Sequence, residues 1–493
     1  MSTSLRLQSA RPSWASARSR IQSPVARYGA YCALVALAFL FGGGARGDIQ
    51  SLVWLRPAAI LLGGFALIAT PTPAGPLGTP FRLLIAFSIV IIAQLIPLPH
   101  GVWTGLPGRD FVAANDRLIG LGDLWRPITL SPNRTINSLF ALSLPFAAFL
   151  LVRAQGPMWP KRLLLPILGF GALSAVLGLL QILGPSGSPL YFYRITNADA
   201  AVGLFSNRNH HAIFLASLLP LIAYVALTTQ ARASGRLVVL AACLGGAIFS
   251  VPLILATGSR AGALLAILAL VSTGILWAAR AVLADRAKGR GLGRRKRALV
   301  VGGAVALIGA LGLAYVASRS LAFERLFTEQ LDSELRVRLF PQLWRMVWDY
   351  FPVGTGYGTF ELAYKVSEPM EFLDLQYLNQ AHNDLLQFLI EGGVAGAALL
   401  LVFGLWFVLR GWRAGARFIS QSKAGSSIGV APFAWISLAI LLLGSLGDYP
   451  LRTPSIMLYA AVLCTLLARA VPPSAATRDV GRDSSRRGDS SVA

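Results

Sequence analysis

Apolar residues gather into runs of about 18 to 23 positions almost free of charge, long enough to cross a hydrocarbon core of about 30 Å. About twelve such runs stand near residues 28–44, 51–70, 81–98, 136–152, 163–183, 211–229, 236–256, 261–280, 298–317, 384–409, 430–447 and 454–470. Glycine and proline inside them, as at Gly169, Gly171 and Pro252, are tolerable in lipid because neighbouring helices satisfy the freed backbone groups. Two long polar stretches interrupt the pattern: 99–135, dense in Pro, Gly and Trp, and 318–383. Within the second, Phe340, Leu343, Trp344, Val347, Trp348 and Phe351 recur at helical spacing behind Pro341 and predict a helix with one apolar, aromatic face. Such a face suits the membrane surface or a cavity at the outer leaflet, and equally the tops of other helices. The whole pattern predicts an all-α, polytopic integral membrane protein.

Composition agrees with that reading. Of 493 residues, 55% are hydrophobic and 13% charged, against roughly a quarter charged in a soluble domain. The formal net charge of +23 changes the picture only through its distribution. Arginine and lysine fill the N-terminal tail and the turns at Arg153–Arg162, Arg232–Arg236, Arg280–Arg297 and Arg410–Lys423. By the positive-inside rule these segments and both termini are cytoplasmic, and loops 99–135 and 318–383 are periplasmic. Basic residues scattered over separate short loops make a poor nucleic-acid footprint, so no nucleic acid is expected as a partner. Cys32, Cys243 and Cys464 lie inside apolar runs and suggest neither a disulfide framework nor a metal site. The expected organisation is a basic tail (1–27) leading into a signal anchor, N-terminal spans (28–200), a transmembrane core (201–471) and a disordered tail (472–493).

That topology brings four polar clusters to one face: Asn207–His211, Thr257–Gly262, Gly354–Gly358 with Ala381–Asp384, and Asp448–Arg452. Arg260 stands out, because an arginine in a tight external turn costs desolvation unless it meets an anion or snorkels to the headgroups. Arg208 follows the same logic in a longer loop. Arg336 and Arg338 lie among acids, where surface pairing competes with function. His382, just before a span, is the candidate general base, with capping as the alternative. His210 and His211 lack partners at metal-ligand spacing. Asp384, Gln387 and Glu391 share one helix face, as catalytic groups or as partners of an arginine. The run Gly354-Thr355-Gly356-Tyr357-Gly358 either brings backbone close to substrate or is a flexible loop. Arginines with a histidine and no metal motif suit a diphosphate leaving group neutralised by fixed cations.

The order of these motifs, Asn207–His211 opening a span, Thr257-Gly258-Ser259-Arg260, Pro352–Gly356, then His382-Asn383-Asp384 running to Glu391-Gly392-Gly393, resembles the O-antigen ligase and O-antigen polymerase superfamily over residues 200 to 455. The resemblance implies a GT-C-like, metal- and cofactor-independent glycosyltransferase of the bacterial inner membrane with about twelve spans. It would move a glycan from polyprenyl (undecaprenyl) diphosphate to lipid A–core or to a growing polysaccharide at the periplasmic face. By similarity, Arg260 with Arg208 or Arg336 holds the diphosphate and His382 activates the acceptor. Asn207, Asn209, His211, Arg338, Tyr357, Asp384, Asp448 and Arg452 are the remaining candidates to line the substrate site. Ligase and exopolysaccharide polymerase share the donor and differ in acceptor. A lipid-linked-glycan flippase or a scaffold stands as the alternative from another class, although a flippase would favour charges at the bilayer midplane.

Overall fold

A computed structural model describes residues 21–47, 49–70, 78–156, 160–185, 187–229, 233–287, 289, 293, 338–373 and 378–469. The expected span 298–317, Arg336, most of the N-terminal tail and the tail after Pro472 lie outside the described residues.

The described chain is built from helices: α1 (Pro24–Phe41), α2 (Leu52–Ala69), α3 (Gly78–Ala93), α4 (His100–Thr104), α5 (Asp110–Leu118), α6 (Pro132–Ala141), α7 (Ser143–Ala154), α8 (Pro160–Leu183), α9 (Arg208–Thr228), α10 (Ala233–Ala256), α11 (Arg260–Ala287), α12 (338–349), α13 (Phe360–Ser367), α14 (Asp384–Lys423), α15 (Ala431–Gly444) and α16 (Pro454–Ala468). A two-residue ribbon pairs β1 (Pro97–Leu98) with β2 (Arg126–Pro127), antiparallel. Eight helical segments, α6 and α7 counted as one, are long and apolar enough to cross a membrane; α3, α15 and α16 are shorter apolar helices. Eleven of the expected spans therefore correspond to a described helix or helix pair. Their outer faces carry uncovered aliphatic residues such as Leu61, Leu237, Ile248, Leu401 and Val408. Such faces are stable in lipid, not in water, and the chain is a polytopic membrane protein.

Helix α9 is the axis of the bundle, buried along most of its length. Small residues let its neighbours close on it. A Cβ at Gly262 of α11 would collide with that of Ala212, and one at Gly444 of α15 would meet Ile213 Cγ2 at 2.9 Å. The register of these contacts sets the first residues of α9 and α11 side by side at one end of the bundle.

At that end sits a cap with its own apolar core of Leu339, Leu343, Met346, Tyr350, Phe360, Tyr364, Leu386 and Ile390. The expected face of α12 divides: Leu343 and Val347 pack into the cap, and the four aromatic residues do not. Leu339, Leu343 and Met346 turn into the cap core while Phe340, Trp344, Trp348 and Phe351 form a ridge that stays exposed. Rings 344 and 348 stand 6.1 Å apart, and rings 348 and 351 stand 5.7 Å apart. The sequence periodicity registers both faces because both are apolar.

The glycine run is closely packed, and of its three glycines Gly358 lines a cavity that Arg452 also lines. Gly354, Gly356 and Gly358 have φ of +78°, +96° and +87°, and each lies where a Cβ would strike backbone: Glu391 O at 2.6 Å, Thr129 Cα at 2.7 Å and Arg134 O at 2.7 Å. Only glycine combines that conformation with that proximity. The run is a strap across a break in α14, where Gly393 (φ +53°, ψ −139°) interrupts the helix. The carbonyls freed by the break are satisfied from outside, as buried carbonyls must be. Thr355 N donates to Ile390 O at 2.9 Å and Gly356 N to Glu391 O at 3.0 Å. Gln94 Nε2 also donates to Glu391 O, at 2.9 Å. Arg109, itself fully buried, pins the strap by donating to Gly354 O at 2.8 Å and to Ile128 O at 2.6 Å. Burial without a carboxylate partner lowers its guanidinium to about 10.

Candidate functional site

Four helices begin at the capped end: α9 at Arg208, α11 at Arg260, α14 at Asp384 and α16 at Pro454. Part of the polar sequence at these starts is capping. The Asn207 side chain accepts from Asn209 N at 2.7 Å, and that of Asn383 accepts from Leu385 N and Leu386 N at 3.1 and 3.0 Å. In Thr257-Gly258-Ser259, Gly258 takes φ +72° to end α10, and Ser259 Oγ accepts from Gly262 N at 3.1 Å to open α11. These are ordinary helix-boundary devices. None of them employs the Arg260 side chain, which is exposed and makes no ion pair with a described residue. The contact of Gly262 with Ala212 brings its helix start against that of Arg208. Arg208 is half-buried, and its backbone N donates to the Asn197 side chain at 3.1 Å.

His382 is the one non-glycine residue with positive φ (+49°) among the described residues. Strain of that kind persists where surrounding contacts impose it, and it concentrates at functional sites. Its Nδ1 faces Asp448 Oδ1 at 3.6 Å, and the side chain keeps 22% exposure beside a carboxylate exposed only 2%. On the other side His210, fully buried, puts Nε2 3.4 Å from the same oxygen and Nδ1 2.9 Å from Thr453 Oγ1. Tyr449 packs against both imidazoles, with centroids 5.0 and 4.9 Å away. Asn209 Nδ2 and Tyr449 N complete the shell of Asp448 at 2.7 and 2.9 Å. Burial alone would raise the Asp448 carboxyl, but hydrogen bonding and charge from His210 and His382 hold it well below the usual carboxylate range.

A second set of ions adjoins the first. Arg452 Nε donates to Asp384 Oδ1 at 3.1 Å and NH2 to Glu391 Oε2 at 3.2 Å. Glu391 Oε1 accepts from Gln387 Nε2 at 3.1 Å and from Phe360 N at 3.2 Å. The shared face of Asp384, Gln387 and Glu391 thus serves an arginine, one of the two roles open from sequence. Arg452 also lines a cavity of about 370 Å³ between the start of α6 and the segment before α14.

Other expected site residues are packed in the protein or paired on its surface. Tyr357 is buried, its ring against Phe87 and Phe388 at 4.7 and 5.0 Å. His211 is fully buried, stacked on Phe205 with Nδ1 2.8 Å from Ala201 O. Arg338 lies over Phe372 and pairs on the surface with Glu371 at 3.8 Å. His210 carries more of the site than its sequence suggested, because the carboxylate it meets is Asp448, far along the chain.

The fold and this arrangement define a membrane protein with a one-sided polar site built on helix starts. Residues 245–401 match the family model described as O-antigen ligase, and the match supports the O-antigen ligase superfamily, whose members are membrane glycosyltransferases of ligase or polymerase type. The matched segment carries Arg260 and His382, while Asn207–His211 and Asp448–Arg452 lie outside it. No curated protein matches the chain.

Proposed function

We propose that the chain transfers a glycan from a polyprenyl-diphosphate carrier to an acceptor hydroxyl at the periplasmic face of the inner membrane, in the manner of an O-antigen ligase. The observation that carries this reading is His382, partly exposed, strained and backed by Asp448, at the end of the bundle where Arg208 and Arg260 open their helices. A carboxylate at Nδ1 favours the tautomer whose proton lies on that nitrogen. Nε2 is then a base for the acceptor hydroxyl. As that proton passes to Nε2, the acceptor oxygen bonds to the anomeric carbon and the bond from that carbon to the carrier oxygen breaks. The leaving electron pair stays on the diphosphate. Its charge meets the guanidinium groups of Arg260 and Arg208 and the positive ends of α9 and α11. Asp448 is a positioning residue in this scheme, held by Asn209 and Tyr449 N.

The test is complementation of a deletion strain with His382→Ala and Arg260→Ala, each confirmed in the membrane by blot. A positioned base contributes about 10²–10⁴-fold and a fixed donor to developing charge about 10²–10³-fold, so both variants should lose surface polymer while carrier-linked glycan accumulates. Normal polymer from both refutes the reading. Bands on the gel separate the acceptors: loss of ligated lipid A–core marks a ligase, and loss of chain length marks a polymerase.

A further inference from the structure

We infer that the cavity beside Arg452 binds an uncharged sugar ring of the glycan, an assignment that rests on the glycosyltransferase reading. The cavity, about 370 Å³, is within the range of about 300–1,000 Å³ of small-ligand clefts. Its charged side chains are already engaged, although cations outnumber carboxylates on the wall. Arg134 NH1 meets Glu361 Oε2 at 2.7 Å, Lys365 Nζ meets the other oxygen at 2.8 Å, and Arg452 serves Asp384 and Glu391. Arg46, on the same wall, is engaged as well. An anionic ligand would have to displace Glu361 from Arg134.

The amides of the cavity are in the opposite condition. Asn133 and Asn379 make no hydrogen bond to another described residue. Gln380 accepts from Gln387 Nε2 at 2.6 Å through its oxygen, and Asn137 accepts from Arg56 NH1 at 2.5 Å through its oxygen. Their NH₂ groups have no other described partner. Amides both donate and accept, as sugar hydroxyls do, and a wall of unused amides among arginines that already hold partners matches a polyhydroxyl ligand better than a phosphate. The position suits a glycan in transfer. Asn379 and Gln380 lead directly into His382, and Ala381 N donates to Gln387 Oε1 at 2.9 Å, fixing that segment. A ring held by Gln380 lies two residues along the chain from the base, and neither Arg208 nor Arg260 is on the cavity wall.

The experiment is saturation-transfer NMR on the full chain in nanodiscs, titrated with methyl α-glucoside, N-acetylglucosamine and glucuronate. Wild-type protein should bind at least one neutral sugar and bind it more tightly than glucuronate. Asn133→Ala and Asn379→Ala, at exposed and half-buried positions outside the packed core, should each weaken that binding about 2- to 12-fold, the loss of one hydrogen bond. The assignment is overturned by any of three results: no neutral sugar binds wild-type protein, both variants bind as wild type does, or glucuronate binds best. Sugar binding with these losses alongside normal polymer from His382→Ala would keep the cavity and discard the transfer scheme. The reverse pattern would discard the cavity alone.

Discussion

Replacing Arg452 with alanine strips the cation that bridges Asp384 and Glu391. The Glu391 side chain is 0% exposed and that of Asp384 9%, so water reaches them only from the cavity that Arg452 lines. Glu391 keeps Gln387 Nε2 and Phe360 N as donors, and Asp384 keeps Leu451 N at 3.3 Å. Removing one partner of a buried ion pair costs about 3–5 kcal/mol. The remaining donors keep the second carboxylate from doubling that figure. At roughly 2 °C per kcal/mol for a chain beyond a small domain, the apparent Tm should fall by about 6–10 °C. The assay is scanning fluorimetry on detergent-purified protein at one fixed scan rate, because unfolding of such proteins is irreversible. Adding Asp384→Asn and Glu391→Gln to the Arg452→Ala background should recover more than half of the loss, since the cost lies in stranded charge and not in missing packing. An Arg452→Ala protein as stable as wild type, or a neutralised background no better than Arg452→Ala, would refute the argument.

Two further outcomes concern the strap and the buried carboxylate. Gly356→Ala should destabilise by roughly 2–6 kcal/mol, from backbone strain at φ +96° together with collision on Thr129. Gly120→Ala, with φ +75° and open space around it, should cost only the strain, and equal thermal half-lives for the two variants would contradict the strap. Asp448 has its folded carboxyl below its unfolded value, so its stabilisation is complete above the ordinary carboxylate range and is lost progressively as pH falls from that range toward the lowered folded value. Between about pH 5 and pH 3, wild-type half-life should drop more steeply than that of Asp448→Asn; parallel slopes would remove Asp448 from the account.

The long apolar helices were legible because bilayer crossing imposes a length and a polarity that no tertiary contact overrides. The clustering of Asn209, His382, Asp384, Asp448 and Arg452 was legible from topology alone. Their division of labour was not. That Arg452 serves Asp384 and Glu391 while Asp448 serves the two histidines depends on side-chain reach across helices far apart in sequence. Tyr357 and His211 looked like site residues because they neighbour glycines and asparagines; burial among Phe87, Phe388 and Phe205 is a tertiary fact without a local signature. The cavity amides were hidden for the same reason, since Asn133 opens α6 and Asn379 precedes α14. The glycine run misled in an instructive way, because positive φ serves close packing as readily as access.

The strap also works as a gauge of length. Thr355 and Gly356 deliver successive N–H groups to successive carbonyls of a broken helix, and Val394 N returns a bond to Pro352 O at 2.8 Å. Inserting or deleting one residue between 352 and 358 would offer each carbonyl the wrong donor and shift Glu391 against Arg452. The largely exposed stretch 119–125 bonds to itself and to the end of α5 and spans no broken helix, so it tolerates added length. Divergence toward new acceptors in chains of this build would therefore be written in loops such as 119–125, while the seven positions from 352 to 358 keep their number.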